Sequence, residues 1–117
     1  MKPNPSNVVV LHGALSSEPR RQTLPSGDLL VSYEVTTPGT NGRVGVPVVS
    51  FSPTRPPAVG KGDPVVVVGS VRRRFFRAEG RSTSRTEVVA EVVARPGSRT
   101  AERLLKAAAD AVAGDSA

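Results

Sequence analysis

Residues 63–76 read DPVVVVGSVRRRFF and form the longest strand-like segment of the chain. Its valines are typical of a β-strand, and Gly80 just beyond it favours a hairpin turn at residues 78–81. Because side chains alternate between the two faces of a strand, Arg72, Arg74 and Phe76 share one face. The segment therefore predicts a long strand whose first half is apolar and whose second half presents arginines and an aromatic ring.

The other face of this strand is expected to point into a hydrophobic core. Its members are the alternate residues Val65, Val67, Gly69 and Val71. By the same alternation, Phe75 lies on the face opposite Phe76. For Phe75 we expect packing against the protein's own core or another subunit, with base stacking as the alternative.

Further strands are indicated by apolar alternation and by β-branched residues at 7–15, 29–37, 46–51 and 84–93. Tyr33 shares its face with valines and is expected in the core, while Phe51 suits either a core or a base-stacking position. The segments between the strands are rich in glycine or proline and predict loops at 18–28, 38–45 and 52–62. The sequence thus predicts five strands.

Residues 96–97, Pro-Gly, mark the end of the strand-rich region. After them an apolar stripe with helical spacing predicts a helix to about residue 113, capped by Ser98 or Thr100. The expected organisation is a disordered N-terminus at 1–6, a domain at 7–95, a helix at 98–113 and a tail at 114–117. Docking of the helix is expected, because an alanine-rich helix of this length is marginal alone in water.

The charge of the chain is concentrated in the predicted hairpin. The formal net charge is +6, and residues 72–85 contain six arginines and one acid. Thirteen of the sixteen basic residues are arginine, which suits bidentate contacts with phosphate and stacking on flat groups. Exposed aromatic rings beside these arginines would accept stacked bases. The segment therefore indicates a nucleic-acid partner.

Several other classes of function are excluded or disfavoured by composition. The chain has no cysteine and one histidine, so disulfides, thiolate metal sites and two-histidine metal clusters are excluded within one chain. No catalytic constellation is visible, and we expect no enzyme activity, no cofactor and no metal. Apolar runs are too short to span a membrane, and the start of the chain has no apolar signal core. A cytoplasmic, nucleoid-associated protein is expected.

Five strands, of which the fourth is long and ends in a basic hairpin, predict an all-β fold: a five-stranded OB-fold Greek-key barrel with a short C-terminal helix. The residues then resemble bacterial single-stranded DNA-binding protein over about residues 7–93. The segments that carry the resemblance are NVVVLHGAL at 7–15, Pro19, Ser26-Gly27, KGDPVVVVGSVRRRFF at 61–76, Gly80 and RTEVVA at 85–90.

The resemblance implies an OB-fold that wraps single-stranded DNA and assembles into a homo-oligomer, a dimer or a tetramer. Phe76 matches the position at which the family carries an aromatic, and Arg72 and Arg74 match polar or basic positions. The chain departs from the family in three places. Residues 38–46 contain no aromatic, residues 52–62 are too short for the family's helix, and residues 114–117 lack its acidic tip. These departures suggest a reduced or paralogous member.

The predicted function is sequence-tolerant binding of single-stranded DNA in replication, repair or recombination. The candidate nucleic-acid-binding residues are Arg72, Arg74, Phe76, Arg77, Arg81, Arg85, Arg43 and Arg55. Two alternatives stay open: an RNA-binding or primosome-type OB module, and an OB-fold adaptor that binds a protein partner through the barrel or the C-terminal helix.

Overall fold

The computed structural model describes residues 5–53 and 55–113 and contains, within them, six strands and one helix. These are β1 (Val9–Leu15), β2 (Arg20–Thr23), β3 (Leu29–Gly39), β4 (Gly42–Phe51), β5 (Pro64–Ala78), β6 (Arg81–Ala94) and α1 (Arg99–Ala113). The mainly β class with a short C-terminal helix agrees with the prediction. The expected tail at 114–117 and residues 1–4 of the expected disordered N-terminus lie outside the described residues.

The prediction of five strands was wrong by one, because β2 lies in a segment predicted as a loop. β2 pairs antiparallel with the first part of β3, from Arg20 opposite Ser32 to Thr23 opposite Leu29. All four β2 side chains are exposed, so the strand is held by backbone hydrogen bonds and has no apolar alternation. Apolar alternation in the sequence therefore could not indicate β2.

The predicted loop at 38–45 was also too long. β3 and β4 continue to Gly39 and Gly42, which pair with each other, so the turn consists of Thr40 and Asn41 alone. The tip of this hairpin is exposed on both faces, which removes the apolar alternation that marks a strand in sequence.

Pairing of five strands closes into a ring of hydrogen bonds. β1 pairs antiparallel with both β5 and β3, β5 with β6, and β3 with β4. The ring is completed by β4 and β6, which run parallel and pair at Val48 with Val88 and at Val49 with Val89. β2 is attached to β3 outside this ring. The arrangement leaves one long hairpin, β5–β6, that runs beyond the ring.

The core lies inside this ring. Its buried members are Leu15, Val31, Tyr33, Val35, Val48, Val65, Val67, Val88, Ala90 and Val93. The predicted core positions of Tyr33, Val65 and Val67 are confirmed. Val71 was predicted to face the core but is 42% exposed. Val71 lies beyond Gly69, the last residue of β5 that pairs with β1.

The hairpin departs from the ring at a β-bulge. The register between β5 and β6 shifts between Val68 and Gly69. A methyl group on Gly69 would overlap the carbonyl oxygen of Val89 and crowd the Cα atom of Ala90, so this position requires glycine. Bulges bend a strand and increase its twist, which gives the outer part of the hairpin its own direction.

Helix α1 begins at a Ser98 cap and docks on the outside of β5 and β6. The Ser98 hydroxyl accepts a hydrogen bond from the backbone N–H of Ala101 at 3.1 Å. Of the two caps that the sequence predicted, Ser98 and Thr100, the structure therefore shows Ser98. Ala101 and Ala108 are buried in a second cluster, with Val66, Val68 and Ala94. The expected docking is thus confirmed. Within the described residues, no helix is long and apolar enough to cross a membrane.

Candidate nucleic-acid interface

The tight turn of the β5–β6 hairpin sets the register of the candidate site. Ala78 pairs with Arg81, and the two residues between them, Glu79 and Gly80, have φ values of 52° and 74°. Positive φ at both central residues is characteristic of a type I′ turn, whose twist matches the twist of a hairpin. The predicted turn at residues 78–81 is confirmed.

Counting back from the turn, Phe76 lies opposite Thr83, Arg74 opposite Arg85, and Arg72 opposite Glu87. Because directly opposite residues of paired strands lie on the same face, these side chains and that of Arg81 form one surface. We call this surface the outer face; it comprises Arg72, Arg74, Phe76, Arg81, Thr83, Arg85 and Glu87. The structure therefore brings together five of the eight predicted site residues.

A buried carboxylate lies at the end of the outer face that is farthest from the turn. Glu87 is 2% exposed, and its Oε2 accepts hydrogen bonds from Arg72 Nε at 3.0 Å and Nη2 at 2.8 Å. The same oxygen accepts a hydrogen bond from Arg74 Nε at 3.3 Å. Arg85 Nε lies 3.9 Å from the other oxygen, Oε1. One carboxylate thus faces three guanidinium groups and leaves the cluster with surplus positive charge.

The surroundings of Glu87 act on its pKa in opposite directions. Burial of the carboxyl group raises the pKa of Glu87, because a charge is poorly solvated there. Hydrogen bonds from Arg72 and Arg74, together with their charges, outweigh burial and hold the pKa below its ordinary value of 4.5. Glu87 is therefore a carboxylate at neutral pH, and its ion pairs persist.

Two aromatic rings lie beneath arginines of this cluster. The Arg74 guanidinium lies 5.1 Å from the centre of the Phe76 ring, and that of Arg72 lies 5.1 Å from the centre of the Phe51 ring. Phe76 is 37% exposed and Phe51 41% exposed, so both rings are accessible to a ligand. Arginines above aromatic faces form cation–π contacts. The sequence left a core position and a base-stacking position open for Phe51, and its exposure rules out the core position.

The opposite face of the hairpin carries its own arginine and ring. Phe75 is 69% exposed and lies 5.6 Å below the Arg73 guanidinium. Packing of Phe75 against the protein's own core, the first of the expected roles, is therefore not observed within the chain. Arg77 pairs with Ser82 and belongs to this opposite face, apart from Phe76.

The remaining two predicted site residues lie in other parts of the fold. Arg43 is in the β3–β4 hairpin, opposite Pro38, and lines a groove together with His12. Arg55 is exposed in the bend between β4 and β5. Arg43 and Arg55 were predicted as site residues from their charge alone, because neither lies in β5 and side-chain alternation along that strand says nothing about them.

A second group of arginines continues from the outer face. Arg85 forms an ion pair with Glu34 of β3, with Arg85 Nη2 3.5 Å from Glu34 Oε1. Arg85 also lines a groove that includes Arg20 and Arg21 of the unpredicted strand β2. Both arginines lie in the segment 18–28, which the sequence predicted as a loop.

Glu87 is the functional candidate that sequence reasoning missed, and for Phe51 base stacking was one of two expected positions but the contact with Arg72 was not predicted. A signal for Glu87 was present, since counting outward from the predicted turn at 78–81 places it opposite Arg72. Phe51 lacked such a signal, because its contact with Arg72 depends on how β4 lies beside the hairpin.

No known protein-family model matches this chain, and no curated protein sequence matches it.

Proposed function

We propose that this chain is an OB-fold protein that binds single-stranded DNA with little sequence preference and catalyses no reaction. In this proposal it is a reduced or paralogous relative of bacterial single-stranded DNA-binding protein. It would act in the cytoplasm, at the nucleoid, in replication, repair or recombination.

The order of strand pairing supports the OB-fold. In that fold five strands form a partly open Greek-key barrel, and oligonucleotides bind on a sheet face and on the loops that connect strands one to two and four to five. If β2 is an addition, the ring of β1, β3, β4, β6 and β5 supplies five strands in a compatible order. The β5–β6 hairpin then corresponds to the connection between strands four and five.

The observation that carries the functional proposal is the composition of the outer face. It presents arginines for phosphates and the accessible Phe76 ring for bases, and a second accessible ring, that of Phe51 in β4, lies beside it under Arg72. Stacking on aromatic side chains tolerates every base, because each base has a π-face. Bases in a duplex are already stacked on one another, so this surface favours single strands.

Affinity of a single copy is expected to be modest, since two rings provide few stacking positions. Assembly into a dimer or tetramer would place several copies of the outer face on one DNA strand and raise the overall affinity. We therefore include a homo-oligomer in the proposal.

The test is fluorescence anisotropy with a labelled oligo-dT, with unlabelled duplex DNA and a matched RNA oligomer as competitors. We expect the chain to bind oligo-dT and duplex to compete poorly. Equal competition by duplex and single-stranded DNA would contradict the proposal. Stronger competition by RNA would favour an RNA-binding module instead.

A further inference from the structure

We propose that Glu87 is a positioning residue, which holds Arg72 and Arg74 in the places where they meet a bound strand. This inference rests on the proposed binding of single-stranded DNA and adds to it the residue that organises the site. Its alternative is a purely electrostatic role, in which Glu87 offsets part of the positive charge of the outer face.

The first support is the way in which one oxygen atom is shared. Glu87 Oε2 accepts hydrogen bonds from Arg72 Nε, Arg72 Nη2 and Arg74 Nε, within 3.3 Å in each case. The side chain of Glu87 is 1% exposed, while those of Arg72 and Arg74 are 40% and 45% exposed. A fixed, buried acceptor thus holds two donors that remain open to solvent.

The second support is where the two guanidinium groups are held. While bound to Glu87, Arg72 lies over the Phe51 ring and Arg74 over the Phe76 ring. One carboxylate therefore holds the arginine of both arginine–aromatic pairs. Arginine side chains have many rotamers, and ordering them during binding lowers affinity. Glu87 orders two of them before the ligand arrives.

The third support is the position of Arg74 directly opposite Arg85. Like charges directly opposite each other in a sheet repel. Without Glu87 the two side chains would separate, and Arg74 would leave the Phe76 ring. The carboxylate thus maintains an arrangement that the arginines alone disfavour.

Positioning and charge neutralisation predict effects of opposite sign for Glu87→Gln. The substitution removes one negative charge, so a purely electrostatic role predicts tighter binding of DNA. Loss of positioning predicts weaker binding in spite of the added positive charge. Glu34→Gln is the matched control: it removes the same charge from an ion pair with Arg85, and its side chain is 46% exposed.

The binding experiment compares wild type, Glu87→Gln and Glu34→Gln with labelled oligo-dT by fluorescence anisotropy. We expect Glu34→Gln to bind as tightly as wild type or more tightly. We expect Glu87→Gln to bind about tenfold more weakly, from the ordering of two arginines. Equal or tighter binding by Glu87→Gln would overturn the inference.

A second measurement needs no DNA. In the ¹⁵N spectrum of the free protein, we expect the Nε–H signals of Arg72 and Arg74 to exchange with water more slowly than that of exposed Arg77. Glu87→Gln should abolish this protection and Glu34→Gln should retain it. Rapid exchange at Arg72 and Arg74 in the wild type would overturn the inference even if Glu87→Gln does not fold.

The two measurements separate the inference from the function on which it rests. A wild-type protein that does not bind oligo-dT overturns the proposed function. The Nε–H exchange rates then decide by themselves whether Glu87 holds the two arginines.

Discussion

Two adjacent residues of β5, Phe75 and Phe76, have the same side chain but lie on opposite faces of the hairpin. Phe76 lies on the outer face under Arg74, and Phe75 lies on the other face under Arg73. Both rings are accessible and both contact one guanidinium, so the two residues differ mainly in the face they occupy. They form a natural pair for testing which face binds DNA.

We expect Phe76→Ala to weaken binding of oligo-dT by about 1–3 kcal/mol, the usual contribution of one stacked base. Phe75→Ala should leave the affinity nearly unchanged. Fluorescence anisotropy on both variants is the measurement. A loss in Phe75→Ala as large as that in Phe76→Ala would assign binding to both faces of the hairpin.

The carboxylate of Glu87 makes stability dependent on pH. A carboxyl group whose pKa is lowered by folding stabilises the protein above its unfolded-state pKa and loses this contribution as pH falls through the folded-state value. The charged groups that face it are the guanidinium groups of Arg72, Arg74 and Arg85. The free energy of unfolding should therefore fall as the pH drops below 4.5, the ordinary pKa of the group.

Urea unfolding at several pH values, on wild type and Glu87→Gln, checks this expectation. The variant should be less stable at neutral pH, by about 1–3 kcal/mol for the lost charged hydrogen bonds. The difference between the two proteins should shrink on acidification. If the difference in free energy of unfolding between the two proteins did not change with pH, the carboxylate would contribute through packing alone.

Alternation along one strand predicted the shared face of Arg72, Arg74 and Phe76, because that property depends only on local backbone geometry. The exposure of Val71 was not predicted, since it depends on which other elements cover this part of β5. The contact of Phe51 with Arg72 depends likewise on two strands that are distant in sequence. Single-strand periodicity contains neither kind of information.

At the scale of the element, β5 combines two surroundings in one strand, and Gly69 lies where they meet. Before Gly69 the strand is covered by the core and by α1; after it, the strand is paired with β6 alone. The sequence predicted a long strand here but not its bulge, because the register shift depends on how β5 and β6 pair with each other. The glycine was the only local sign of it.

We expect Gly69→Ala to destabilise the fold by about 2–3 kcal/mol, because the bulge must shift to accommodate a methyl group. Gly45→Ala is the control. Gly45 is also in a strand, but nothing lies within 4 Å of the position that its methyl group would take. Chemical unfolding of both variants measures the difference, and equal stability would contradict the close contact at Val89.

At the scale of the whole molecule, the positive charge is distributed unevenly over the surface. Four arginines lie on the outer face, and three of them are paired with Glu87 or Glu34. The sequence predicted where the charge is concentrated but not that acids partly neutralise it. Ion pairing across strands requires the register of the whole sheet.

Salt dependence reports on this distribution. If the four arginines of the outer face contact phosphates, log K for oligo-dT should fall with log salt concentration with a slope of about −3 per copy. Arg81→Ala should make the slope shallower by about 0.7, the contribution of one phosphate contact. Arg103→Ala, an exposed arginine on α1, is the control and should leave the slope unchanged.

The ring of strands also has a consequence for how the chain folds. The β5–β6 hairpin is joined by two residues, whereas β1 must pair Val9 with Gly69 to close the ring. Closing a long loop has an entropic cost before its contacts can form, which slows folding to about milliseconds to seconds for such topologies. We expect the hairpin that carries the arginines to form early, while β1 is still unpaired. During that interval, the edge of β5 that β1 later covers is unpaired, and unpaired strand edges are prone to aggregation.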